Sequence, residues 1–230
     1  MNDEQLKETL NIVWMNMFRV VDYLALFETV GENSEKLNKI NGHFWGTIQR
    51  SALDLAVLNM CKLFDETNKR YEKDTIPSLI EYLESKLSKD HCSFLDNQLL
   101  CKLGVCDEVI KTLYKVKDKP EECVNFINTI TKSIKDACPN SKHIDLKKLF
   151  QYRDKVLAHQ ERLEQAQRTM LKSLPSLERM LQLATWAKNI LLLINKLFFP
   201  TEPLPEFLPY LGKATNDVIT SALKNNECLG

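Results

Sequence analysis

Apolar side chains recur along this chain every three to four residues and hardly ever on alternate ones, which predicts helices and no sheet. From Asp3 to about Val30, Leu6, Leu10, Val13, Trp14, Met17, Val20, Val21 and Leu24 form one stripe, with Gly31 expected to end the helix and Gly31 to Ser34 to make the turn. A second helix begins at Ser34 with an expected interruption at Asn41-Gly42, and then runs from His43 to about Asp65. Its apolar residues, among them Phe44, Trp45, Ile48, Leu55, Val57 and Phe64, cover nearly the whole circumference, so it is expected to be the most buried element of a bundle. Within it Arg50 and Asp54 are spaced to pair along the helix.

Beyond a charged loop from Glu66 to Lys73, Asp74 or Thr75 is placed to cap a helix running from Pro77 to Leu87. One or two short helices are expected around Gly104 between Asp90 and Val116, and another from Lys119 to Ala137. Cys138 to Ser141 breaks the chain. Ile144 then starts a helix expected to continue to about Arg168, and after Pro175 a long helix covers Leu177 to Phe199. Pro200, Pro203, Pro205 and Pro209 enforce an extended crossing segment, and a short helix from about Ala214 to Leu223 closes the chain. The expectation is an all-α helical bundle over residues 1–199, with the motif helix at about 144–168, and a proline-rich extension over 200–230 packed on it.

Composition narrows the function classes. Lys plus Arg and Asp plus Glu both number 31, so no global basic field advertises nucleic acid and any RNA contact must come from a local patch. The seven cysteines are odd in number and scattered, and no signal peptide opens the chain, so a reduced, cytoplasmic protein is expected. The apolar segment Asn189 to Phe199 is too short to span a bilayer, and no membrane association is expected. His91, Cys92, Cys101 and Cys106 lie close in sequence but match no zinc spacing, and neither metal nor cofactor is expected. The chain contains no Gly-rich phosphate loop, no Gly-x-Ser-x-Gly and no His-Glu-x-x-His. His43 and His143 read as turn or cap residues.

What remains is Gln151-Tyr152-Arg153-Asp154-Lys155-Val156-Leu157-Ala158-His159. On a helix Arg153 has Leu149, Phe150, Val156 and Leu157 at three and four residues either side, a costly place for a guanidinium. Either Arg153 is bridged to a carboxylate such as Asp54 or Asp65, or the face is a cleft or interface that wants a permanently charged fork. His159 adds a group that titrates near neutrality. Six helical residues turn through about 600°, which leaves the two roughly 120° apart and argues for a site completed by a second copy of the helix.

Tyr-Arg-Asp-Lys-Val-Leu-Ala-His resembles the Arg-x(4 to 6)-His signature of the HEPN superfamily, and more narrowly its AbiU-like branch linked with abortive phage infection. The segment from Gln49 through Lys62-Leu63-Phe64-Asp65 and on to Thr75-Ile76-Pro77-Ser78-Leu79 is similar to that branch as well, so the likeness spans about Phe44 to Phe199. The resemblance implies a HEPN-like bundle that forms a homodimer, with the motif helices of both protomers facing one cleft. It also implies a metal-independent endoribonuclease of phage defence or a toxin, in which a 2′-hydroxyl of RNA attacks the adjacent phosphate and leaves a 2′,3′-cyclic product. His159 would then be the general base or acid, Arg153 would stabilise the phosphorane, Asp154 would orient the pair and Lys155 would add phosphate affinity. RNA, a second copy of the chain and an antitoxin protein are the partners it suggests. The alternative is an inactive HEPN-like interaction or dimerisation module, which the zero net charge favours.

Overall fold

The computed structural model describes residues 1–65, 74–88, 91, 94–105, 107–116, 120–140, 142–157, 171–206 and 210–227. Among these the regular elements are all helical: α1 (Asp3–Glu32), α2 (Ser34–Phe64), α3 (Ile76–Lys86), α4 (Asn97–Lys102), α5 (Asp107–Val116), α6 (Pro120–Ala137), α7 (Ile144–Tyr152) with a π turn over Arg153–Leu157, α8 (Leu177–Phe198) and α9 (Tyr210–Glu227). The all-α expectation holds. The charged loop, His159 and the expected continuation of the motif helix to Arg168 lie outside the described residues.

The antiparallel pair α1 and α2 forms the frame, with α8 and α9 also laid against α1. Leu6, Leu10, Val13, Met17, Val20 and Leu24 of α1 meet Ala56, Val57, Met60, Leu63 and Phe64 of α2 in one core, which continues through α3, α6, α7 and α8. Each of these leucine-sized side chains removed from water contributes about 1.5–3 kcal/mol before entropy is charged against it. Among the described residues one helix, α1, is long and apolar enough to cross a membrane, and its apolar stripe packs into this core.

Several helix ends follow their sequence signals. Asn2 caps α1 in a reciprocal box with Gln5. Thr75, not Asp74, caps α3 and exchanges bonds with Ser78, with Pro77 in the first turn; Asp74 instead accepts from Thr9 of α1 at 2.7 Å. Ser176 caps α8 through the amide of Arg179. Gly104, at φ +85, ends α4 in the left-handed conformation that glycine adopts without strain.

Other expectations are corrected. Gly31 does not end α1: the helix runs through it to Glu32, and a single residue, Asn33, makes the turn. A Cβ there would sit 2.8 Å from the Gln49 Nε2 that donates to Phe27 O, so a larger residue would displace that side chain. The kink in α2 falls at Asn41 (φ −162, ψ 84), whose side chain accepts from the amide of Phe44 and so caps the second half; His43 is therefore not the cap. Nor is α2 buried all round. Ala52 to Phe64 carry its core face, while Phe44 is 52% exposed and Leu55 also faces solvent. Before Ala52, Leu37 and Trp45 of α2 join Val30 and Ile219 in a separate small cluster, with Leu26, Ile40 and Ile48 packed against it. His91 is half-buried with its ring 4.8 Å from that of Phe198 and its Nδ1 on Ser88.

After α8 the chain crosses back over α1. Trp14 Nε1 donates to Pro205 O at 3.1 Å, and Lys7 pairs with Glu202. Asp22, in mid α1, accepts from the amides of Tyr210 and Leu211 and so caps α9 from another helix. Gly212 lets the two helices approach, since a Cβ there would lie 3.0 Å from that of Ala25.

Candidate functional site

The site is built where the C-terminal half of α2 meets the end of α7. Asp54 and Asp65 are eleven residues apart, three α-turns, so they occupy one face of α2 about 16 Å from each other. Tyr152 and Arg153, adjacent in sequence, reach one each.

Tyr152 is fully buried, and its hydroxyl donates to Asp54 Oδ1 at 2.7 Å while accepting from Arg50 Nη2. Arg50 Nε also binds Asp54, at 3.1 Å, as the four-residue spacing predicts. Burial, reinforced by the bond to the Asp54 carboxylate, pushes the phenol well above its ordinary pKa, so Tyr152 is a neutral hydroxyl. It anchors the motif helix to α2 at this point, together with the buried Leu146, Leu149 and Val156.

Arg153 begins the π turn. Its Nη1 donates to Asp65 Oδ1 at 2.9 Å and its Nε to Asp154 Oδ1 at 2.8 Å, with its Cζ 5.0 Å from the Phe150 ring centroid. The arginine and Asp65 are each 28% exposed, whereas Asp154 is 61% exposed. Partial burial pulls the guanidinium pKa down, but the bonds from Asp154 and Asp65 outweigh it, and the group is held charged above its ordinary value. Of the two carboxylates that sequence nominates for Arg153, the partner is Asp65; Asp54 belongs to Arg50 and Tyr152. Consecutive side chains on an α-helix diverge by about 100° and do not face each other. The bond between Arg153 and Asp154 closes within a turn widened to i→i+5 hydrogen bonding, a distortion often found at functional sites. The π turn covers Arg153–Leu157, and the expected 120° offset between Arg153 and His159 ends on a residue outside those described.

The structure thus brings Arg153 and Asp154 together and leaves Lys155 exposed. Cys61, one turn before Asp65, lies beside Arg153; burial pushes its thiol up to about 12. It is a neutral wall of the site. Sequence reasoning missed Tyr152 and Cys61 as members. The signal for Tyr152 was available in the shared face of Asp54 and Asp65, which offers two acceptors to two neighbouring residues. Clefts of about 820 and 660 Å³ lie elsewhere, one lined by Trp14, Lys188 and Pro205 and the other by Lys102, Leu181 and Trp186, and neither touches this constellation.

No curated protein and no solved structure matches the chain. A family does: residues 3–213 match HEPN AbiU2, described as AbiU2, over nearly the whole length. The chain belongs to the AbiU2 family and is an all-α, abortive-infection HEPN-type domain.

Proposed function

We propose that the protein is a metal-independent endoribonuclease of phage defence, or a toxin, cutting RNA by attack of a 2′-hydroxyl on the neighbouring phosphate. The observation that carries the proposal is Arg153: a permanently charged fork, partly open to solvent, set at the start of a π turn in the stretch that resembles the HEPN signature. In this reading Arg153 neutralises charge as it builds on the phosphorane oxygens, which is where electrostatic stabilisation lowers a barrier most. His159 moves the proton, first from the 2′-hydroxyl or last to the leaving 5′-oxygen. Asp154 orients the arginine, and Lys155 attracts the RNA backbone. The site works as a symmetric homodimer in the cytoplasm. Support for the dimer comes from apolar side chains left in water on the two helices that carry the site: Phe44 and Leu55 on α2, and Ile144, 66% exposed, on α7. An antitoxin protein that covers the same face would silence it.

A second function is favoured by a specific observation. Arg153 is already paired with two carboxylates inside one protomer, as expected of a structural cation in a catalytically inactive interaction module. Incubating the purified protein with total RNA in EDTA, beside His159→Ala, separates the two. Cleavage by wild type alone, with cyclic-phosphate ends, supports the nuclease. RNA left equally intact by both proteins across several substrates supports the module.

A further inference from the structure

We propose that Asp65, which lies outside the Arg-to-His motif, is the positioning residue of this site: its carboxylate aims the Arg153 guanidinium so that Nη2 faces the scissile phosphate. The inference rests on the nuclease function above and specifies how its arginine is held. Three constraints act on the guanidinium. The Phe150 ring lies 5.0 Å from Cζ, Asp154 takes Nε, and Asp65 takes Nη1. With Nε on Asp154 and Nη1 on Asp65, Nη2 is the nitrogen assigned here to a substrate oxygen.

The two carboxylates are not equivalent. Asp154 is 61% exposed on the π turn, where water competes for its oxygens. Asp65 directly follows Leu63 and Phe64, both with no exposed surface, and its own backbone leaves the helix at φ −59, ψ 132. Its carboxylate therefore projects from a rigid platform. A free arginine side chain loses about 2 kcal/mol of rotamer entropy when it is fixed, and a site that has fixed it beforehand does not incur that cost in the transition state. Phosphate bound to Nη2 alone leaves the bond to Asp65 intact, whereas a two-bond grip at the Nη1–Nη2 edge would compete with it.

The test uses the full chain and a fluorescent oligoribonucleotide that wild type cleaves, with the 2′-deoxy analogue as an uncleavable probe of binding. Asp65→Asn is expected to lower kcat by about tenfold or more while KM and the analogue's Kd stay within about twofold. Asp65→Glu, which keeps the charge, is expected to recover part of kcat. Nitrogen-15 NMR of the arginine side chains supplies a readout that stability alone would not move: rotation about the Arg153 Nε–Cζ bond is slow in wild type and faster in Asp65→Asn. Should Asp65→Asn fail to fold, Asp65→Glu carries the test through a reduced kcat at constant KM. An active wild type with an equally active variant, or unchanged bond rotation, overturns the role of Asp65 alone. A wild type that leaves all RNA intact overturns the nuclease function, and this inference with it.

Discussion

The hydroxyl of Tyr152 donates to Asp54 Oδ1 at 2.7 Å across 98 residues of chain, and this bond fastens the motif helix to α2 immediately before Arg153. Tyr152→Phe removes the hydroxyl and leaves Arg50 and Asp54 to satisfy each other. The expected loss is about 1–2 kcal/mol, the usual cost of deleting a buried hydroxyl bonded to a charged group. Urea unfolding followed by circular dichroism measures it. An unchanged midpoint would mean that the hydroxyl adds nothing to the anchor.

Stability and chemistry are expected to separate at Arg153. Arg153→Ala removes the guanidinium from Asp65 and should destabilise by about 1 kcal/mol, the pair penalty reduced because both groups remain partly in water. Arg153→Lys keeps the charge and should unfold close to wild type. It cannot keep the planar fork, and its RNA cleavage should fall by about 10²-fold or more. Parallel denaturation and cleavage assays decide this, and a lysine variant as active as wild type would refute a role for the fork.

Two thiols, Cys61 and Cys138, are pushed up to about 12 by burial. Because the folded-state values are raised, their contribution to stability is intact below the unfolded thiol range near 9 and is lost as pH rises from there toward 12. Unfolding free energy should therefore fall above pH 9, and Cys61→Ala should flatten part of that slope. The same burial orders reactivity. Iodoacetamide at pH 8 should label the exposed Cys101 well before Cys61, as peptide mass spectrometry can read. Labelling of Cys61 at an equal rate would contradict its burial.

Asp22 caps α9 from mid α1, accepting from Tyr210 N at 2.7 Å and Leu211 N at 3.4 Å. Asp22→Ala should cost about 1 kcal/mol, the usual value of a helix cap, and loosen α9 before the rest of the bundle. Hydrogen exchange should show faster amides in residues 210–221 and unchanged protection in α2. Equal protection of α9 in both proteins would show that Gly212 and its neighbours hold the helix without the cap.

The local features were legible because they depend on neighbours in sequence. The 3.6-residue stripes marked the helices, Thr75 the start of α3, Asn41 the kink and Arg50–Asp54 their pairing. Gly31 misled, because glycine ends a helix in one context and admits a crossing side chain in another, and only the position of Gln49 distinguishes them. Phe44 and Leu55 misled for a related reason: apolarity shows what a residue can bury, not whether a neighbour is there to cover it.

For the site, sequence by itself determined the unusual residue, Arg153 on an apolar stripe, together with the family signature and a choice of two carboxylates. Only the tertiary structure decided between them, because the choice depends on how far along α2 the motif helix docks. It gave Asp54 to Tyr152 and Asp65 to Arg153. It also opened the helix into a π turn at Arg153, which hydrophobic periodicity does not encode, since an extra residue in one turn is set by packing on both sides of it.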